Sequence, residues 1–370
     1  MSRFRFELAT EADDADLRRV LAETPMEGRI AVAFRREPSW FVAAAIDGHQ
    51  RQVVACRDVE SGRIVGFGCR SIRTLYVDGR PQCVGYLSSL RLLEAHRNRG
   101  LIARGYAFFR RLHNDGQTPY YLTTIADGNV TALNVLTSGR AGLPHYIPAG
   151  LYHTLAIPLV QYNGVAATPG VSIRRGVPAD VPAIVRFLAA HGPRRQFFPL
   201  VQEGDLRDPS GPWRGLAIED LWLAFCGAEL AGVLGTWDQH AYKQSVVTGY
   251  HGTLAWLRPA LNAWWSLRGY PQLPAPGDPL RFRVAALPVV RDDSPAIFAA
   301  LLCRAVADLA GGNCTHLLVG LHERDPLLPA VERRSATRFT THLYLVSWDD
   351  DDEIRAIISR RVPYLEPGTL

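Results

Sequence analysis

The sequence predicts an α+β protein made of two tandem domains, each a mixed central sheet flanked by helices. Three observations predict it. The chain has 370 residues, 47% hydrophobic and 21% charged, an ordinary globular composition in a length beyond one typical core. It also repeats itself. "FELATEADDADLRRVLA" from Phe6 aligns with "IRRGVPADVPAIVRFLA" from Ile173, so that Phe6 meets Ile173, Asp13 meets Asp180, Leu17 meets Ile184 and Leu21 meets Leu188. "GRIVGFGCRSI" from Gly62 aligns with "AELAGVLGTWD" from Ala228, with Gly66 over Gly232. Both pairs are offset by about 166 residues, which repeated domains explain better than one large fold. Finally, each half alternates strand and helix patterns. The small, Gly/Pro-punctuated segment "QYNGVAATPGVS" (161–172) reads as the linker, giving domains 1–165 and 171–370.

In the first half, a strand at 4–9 leads through an acidic first turn into an amphipathic helix at 11–22. Strands follow near 30–34, 51–57 and 63–76. "VDGRP" (77–81) is a hairpin signal centred on Asp-Gly, and "QCVGYLSSLRLL" (82–93) is the returning strand. After the turn "EAHRNRG", the helix 98–113 carries Leu101, Ile102, Gly105, Phe108, Phe109 and Leu112 at helical spacing on one face. A strand at 120–126, a short helix at 129–139 and a strand at 152–159 complete an α+β sheet domain. In the second half, 281–310 reads as strand then amphipathic helix, and 315–321 and 342–348 as strands.

The basic turn at a helix start is the chemically distinctive feature. A helix N-terminus leaves backbone N–H groups unpaired and carries partial positive charge, and a phosphate answers both. Gly100 lets the backbone approach an anion closely. Arg97 and Arg99 add charge in a form that grips phosphate through paired hydrogen bonds.

"LRLLEAHRNRGLIARGYAFF" resembles the acetyl-CoA-binding core of the GCN5-related N-acetyltransferases, whose pattern Arg/Gln-x-x-Gly-x-Gly/Ala lies between a strand and a helix. Arg97 and Gly100 match it, and Ile102 departs from it. "NVTALNVL" resembles the family's Asn-x-x-Ala helix at Asn129 and Ala132, but Leu136 stands where the family has tyrosine. "ATEADDADL" resembles the family's opening. The resemblance runs in order through most of residues 1–160. It implies two tandem acyl-CoA N-acyltransferase-like domains and acetyl-CoA, or another acyl-CoA, as co-substrate. The pyrophosphate would lie on Arg97, Asn98, Arg99, Gly100, Leu101 and Ile102, with Asn129 nearby. The strand before the turn would splay from its neighbour at a bulge, and the backbone of Leu90 and Leu92 would bond the pantetheine arm by β-augmentation.

Transfer of an acyl group from a thioester to an amine needs a neutral amine, a proton for the departing thiolate and a donor for the oxyanion. With the family's tyrosine missing, the nearest acid–base candidates are His145 and Tyr146 in "GLPHYIP" and Ser89 on the strand that lines the site. Each also has an ordinary structural reading: a surface histidine, an aromatic closing a loop, a packing serine. The second half has "VRDDSP" where the phosphate turn would be; two aspartates repel a pyrophosphate, so this domain reads as degenerate. Its Trp/Pro-rich stretch 250–276 reads either as part of an acceptor cleft or as a helical insertion packed on its own sheet. The expected acceptor is an amine of a small molecule or peptide. A non-catalytic acyl-CoA sensor, or two sheet domains used only for protein contacts, would use the same elements differently.

Composition narrows the rest. The net charge of +5 is carried almost wholly by arginine, Lys243 being the one lysine. That pattern fits a GC-rich coding sequence, and no basic block marks a nucleic-acid binder. The acidic run Asp349–Glu353 reads as a solvated turn before a last helix. Six cysteines without a CxxC fit reduced thiols, a cytoplasmic location and no metal. No apolar run reaches about 18 residues, so neither spanning nor export is expected. A monomer or homodimer fits equally well.

Overall fold

The computed structural model describes residues 2–97, 99–160, 168–334, 336–349 and 352–370; Asn98 and positions 161–167 of the expected linker lie outside them. In chain order the strands of the first half are β1 (Phe4–Leu8), β2 (Ile30–Arg35), β3 (Gln50–Asp58), β4 (Ile64–Val77), β5 (Arg80–Leu92), β6 (Tyr121–Ala126) and β7 (His145–Pro158). Those of the second are β8 (Val171–Arg175), β9 (Arg195–Gln196), β10 (Phe198–Pro199), β11 (Leu221–Cys226), β12 (Glu229–Trp237), β13 (Gln244–Tyr250), β14 (Phe282–Val290), β15 (His316–His322), β16 (Thr337–Ser347) and β17 (Val362–Pro363). The helices are α1 (Asp14–Ala22), α2 (Trp40–Ala43), α3 (Leu101–His113), α4 (Val130–Leu136), α5 (Val181–His191), α6 (Glu203–Arg207), α7 (Thr253–Leu267), α8 (Pro295–Leu309), α9 (Leu328–Glu332) and α10 (Asp352–Arg360).

The two halves share one sheet, in the order β1-β3-β4-β5-β6-β16-β7-β15-β14-β12-β11-β8, with β10 on β4. The join is an exchange. β16, late in the chain, inserts between β6 and β7, and β7 from the first half pairs with β15 of the second. A second tie is the antiparallel ribbon of β13 with β2, from opposite halves. Leu343 and Leu345 of β16 are therefore buried in a core with Leu75, Leu122 and Ile147 of the first half.

Each face of the first half has its own cover. On one, α1 sets Leu17, Val20 and Leu21 against Val53, Ala55 and Phe67. On the other, α3 buries Leu101, Tyr106 and Phe109; the helical spacing anticipated Leu101 and Phe109 but not Tyr106. α3 is tied down at its far end by Arg70 of β4, which is almost wholly buried. Its guanidinium meets both oxygens of Asp115 at 2.8 Å, Gln52 at 2.6 Å and the Tyr121 hydroxyl at 2.9 Å. Four of the five N–H donors of a desolvated cation are thereby answered.

Several expected boundaries shift. α3 starts at Leu101 rather than 98, because Gly100 holds a left-handed conformation and ends the turn. The strand expected at 152–159 begins at His145, since β16 supplies partners that a reading of the first half alone does not contain.

Candidate active site

β5 and β6 run parallel but pair only at Gly85–Tyr121 and Tyr86–Leu122. Beyond that point the strands part, and a side chain spans the gap: the Thr123 hydroxyl donates to the Leu87 carbonyl at 2.8 Å. β5 also breaks register with β4, since Ser88 faces Cys69 while Arg91 faces Phe67, and Ser89 between them has φ +52°. This is a β-bulge; it re-aims the strand and opens a V whose β5 wall is Leu87–Leu92. Among the described residues no side chain accepts from the N–H of Ser89 or Leu90. The Leu90 side chain is exposed. Leu90 and Leu92 line an apolar cavity of about 30 Å³ with Leu101, Ile102 and Phe6, beneath the start of α3.

The V points at the turn. Glu94–His96 form one 3₁₀ turn, and Gly100 (φ +66°, ψ +13°) then starts α3 with no side chain capping it. Arg97, Arg99 and Gly100 are exposed. Neither arginine is ion-paired among the described residues; the Arg99 guanidinium lies 5.9 Å from the Phe4 ring centre. Open amides, positive charge and a glycine with clear space around it thus coincide at the mouth of the V. Of the residues expected at the phosphate, Asn98 lies outside the described residues. Asn129 is the N-cap of α4, its Oδ1 accepting from the Ala132 N–H at 3.1 Å.

The acid–base candidates fall in three places. Ser89 is the bulge residue itself, beside the Cys69 thiol, which burial pushes up to about 12. Tyr146 is the second residue of β7. Its hydroxyl lies 2.5 Å from that of Tyr106 on α3, and burial raises it well above the usual phenol range. His145, adjacent, is exposed and registers with Ser347. The structure thus brings Ser89 to the V with Leu90 and Leu92, and sets Tyr146 in the core under α3 and α4.

On the α1 side of the sheet lies a polar seam that the sequence did not single out. Arg36 makes two bonds to Asp47, at 2.7 and 3.2 Å. Arg73 donates to the carbonyls of Asp47 (2.7 Å) and Ile46. The Lys243 ammonium donates to the main-chain oxygens of Gly368 and Leu370, and burial lowers it to about 8. Arg91 of β5 has its Nε buried with no partner among the described residues. The residues come from both halves, which is why spacing could not assemble them. The one signal available was that Lys243 is the only lysine in an arginine-rich chain.

The second half carries the matching bulge in closed form. Leu287 of β14 has φ +51°, with register broken opposite Val233–Gly235. Its N–H is taken by Glu366 Oε2 at 3.1 Å, which also accepts from the Tyr364 hydroxyl at 2.6 Å. Pro367 packs against Gly320 of β15, so the final segment of the chain fills this V. Where α8 starts, Ser294 caps the Ile297 N–H, after Asp292 and Asp293.

Glu366 is buried, and desolvation pushes its carboxyl to about 7. Folding therefore favours the protonated acid. Between pH 4.5 and about 7 the folded chain holds more protons than the unfolded one, so this group makes stability fall as pH rises through that window. Glu366→Gln should stabilise the fold at pH 8 relative to wild type by on the order of 1–3 kcal/mol, read as a higher melting temperature, and the gain should vanish near pH 4.5. Thermal unfolding across pH checks it; a pH-independent difference contradicts it.

No family model and no curated protein matches this sequence. Solved structures do. The chain is similar to N-myristoyltransferase of Saccharomyces cerevisiae with bound myristoyl-CoA (TM-score 0.61, 11% identity, covering 94% of this chain and 79% of that one). It is similar to a GCN5-related N-acetyltransferase from Sphaerobacter thermophilus (TM-score 0.58, 12% identity, 100% and 99% covered). It also matches a fungal GCN5-related glucosamine N-acetyltransferase region inside a multi-domain GH3 β-N-acetylglucosaminidase (TM-score 0.63, 14% identity, 92% of this chain and 38% of that one). The class is therefore defined: this is an acyltransferase-type α+β fold. More particularly, it is the fold of the GCN5-related N-acetyltransferases, with the likeness extending through both halves.

Proposed function

We propose that the chain is an acyl-CoA-dependent N-acyltransferase, with acetyl the transferred group and an amine of a small molecule or peptide as acceptor. The observation that carries this is the open V between β5 and β6, leading from the Ser89 bulge to an uncapped helix start beside two exposed arginines. The pyrophosphate lies on the amides from Arg99 to Ile102, with Arg97 and Arg99 around it, and Asn98, between them in sequence, is the further candidate. The pantetheine arm adds to β5 along the backbone of Leu90 and Leu92. Residues 1–165 form the acyl-CoA-binding domain. Residues 171–370 form the degenerate one, a reading supported by the Glu366 plug and by Asp292 and Asp293.

In the transfer, the neutral amine attacks the thioester carbonyl. The C–N bond forms, the carbonyl oxygen takes the negative charge beside a bulge N–H, and the C–S bond then breaks. The amine loses one proton and the CoA sulfur gains one. In this reading Ser89, at the bulge, holds a water for the first transfer. Tyr146, protonated at every physiological pH, and His145 are the candidates for returning a proton, and separate Phe and Gln variants test them. The assay is thiol release from acetyl-CoA across a panel of small amines and peptide N-termini, with longer acyl-CoAs in parallel. Amine-dependent release supports the reading. Tight acyl-CoA binding without release from any amine would favour the sensor instead.

A further inference from the structure

α7 is a surface helix turned the wrong way out. A helix packed on a protein shows an apolar stripe inward and polar residues outward. Here the inward stripe is Leu254, Arg258, Leu261, Asn262 and Trp265, the partly buried positions. It is latched by polar bonds. Asn262 accepts from the Leu273 N–H at 2.8 Å and donates to the Leu273 carbonyl at 2.9 Å, and Arg258 lies over the Tyr250 ring, 5.2 Å from its centre. The outward stripe is Trp256, Ala260, Ala263, Trp264 and Leu267, with Leu257 beside it. Trp256 and Leu267 are 87% and 86% exposed, and Leu257 and Trp264 about half. No residue of α7 is fully buried. The latch fixes the helix's rotation, so the apolar face is presented rather than left over. Single exposed apolar residues are common; a contiguous stripe of this kind marks an interaction surface.

Charge selects the occupant. From Gln239 to Gly277 the sequence has no aspartate or glutamate; of its three cations Lys243 is held in the polar seam and Arg258 lies over Tyr250, which leaves Arg268 exposed at the surface. Arg268 stands at the end of the stripe with its guanidinium 4.6 Å from the Trp264 ring centre. The carboxylates near this region come from neighbouring segments: Glu27, 3.6 Å from His251 and mostly exposed, and Asp278, whose charge reaches Tyr250. An apolar stripe that holds Trp256 and Trp264 and ends at Leu267, with Arg268 at its border, suits the headgroup–acyl boundary of a bilayer. There the indole's apolar body and N–H are both satisfied and the cation meets anionic lipid. Among the described residues no helix is long and apolar enough to cross a membrane, so the contact is one of a helix lying in the surface. We infer that α7 docks this protein on anionic membrane surfaces by its Trp256–Leu267 face. The inference is independent of the acyl-transfer reading.

The test is flotation of the full chain with vesicles of phosphatidylcholine alone and with phosphatidylglycerol added. The expected result is binding that rises with phosphatidylglycerol content, weakens with salt, and falls roughly tenfold or more in the Trp256→Ser/Trp264→Ser/Leu267→Ser variant. Because those side chains are exposed, that variant should keep the wild-type melting temperature, which shows that any loss is not unfolding. Arg268→Glu should remove the preference for phosphatidylglycerol while leaving weak binding to phosphatidylcholine vesicles. Absence of flotation with either vesicle overturns the inference. So does a self-association in solution that the triple variant abolishes, which would make this face a contact between copies of the chain.

Discussion

Gly100→Asp should weaken acyl-CoA binding by more than about 100-fold, since placing like charges against each other in a binding site costs several kcal/mol. The geometry makes the test clean. A Cβ at Gly100 would meet no atom of another described residue beyond its neighbours within 4 Å, so none of these is displaced. The φ of +66° costs a non-glycine residue about 1 kcal/mol, less for Asp and Asn. The new carboxylate would stand at the amides of Leu101 and Ile102, competing for the donors that a pyrophosphate needs and repelling it. Gly100→Asn is the control, nearly the same size, equally at ease in the left-handed region, and uncharged. It should bind within about tenfold of wild type, a cost near 1 kcal/mol. Calorimetric titration of acetyl-CoA into the three proteins decides it. Equal affinity in wild type and Gly100→Asp would remove the phosphate turn and the proposed function with it, whatever became of membrane docking.

Gly85→Ala should destabilise the fold by about 3 kcal/mol, the upper end of what overpacking a rigid core costs. Gly85 is where β5 and β6 make their brief parallel pairing, and a Cβ there would come within 2.1 Å of Tyr121 Cδ1. The ring has nowhere to go. It is fully buried, its hydroxyl accepts from Arg70 and contacts His113 Nδ1 at 3.2 Å, and Trp348 meets it edge-on at 5.8 Å. Relief must come from separating the strands at the apex of the V. Acyl-CoA affinity should therefore fall along with stability, unlike in Gly100→Asp. Tyr121→Leu in the same chain should recover part of the loss, giving a favourable coupling in a double-mutant cycle followed by chemical denaturation. Simple additivity would show that the clash is absorbed elsewhere.

Much of the first half was legible because its signals are local. Acidic first turns, the Asp-Gly hairpin and the spacing of Leu101 and Phe109 each depend on residues a few positions apart, as does the glycine that ends a turn. The same locality made the proposed phosphate turn readable: a strand, two arginines, Gly100 and an amphipathic helix lie within twenty positions. The repeat was readable for a related reason, since Gly66 and Gly232 occupy equivalent strands, β4 and β12, one in each half.

What stayed hidden depends on contacts across the chain. Strand periodicity says that Thr337–Ser347 pairs with something, but hydrogen-bonding groups are the same on every strand, so nothing in the pattern says that it inserts between β6 and β7. The polar seam of Arg36, Asp47, Arg73 and Lys243 needs residues more than 200 positions apart. Tyr146 sat in the expected stretch, yet its hydroxyl faces Tyr106 because β16 extends β7 back to His145. The outward face of α7 was invisible for the opposite reason. The stretch 250–276 read either as part of an acceptor cleft or as an insertion packed on its own sheet, and the Asn262–Leu273 latch turns Trp256 and Trp264 to water while Trp265 faces inward. Short-range spacing was enough for the fold class, and it carries the patterns on which the repeat and the phosphate turn are proposed. The tertiary structure alone decided which strands meet, which V is open and which is plugged by Glu366, because those are settled by burial and by the partners that distant residues bring.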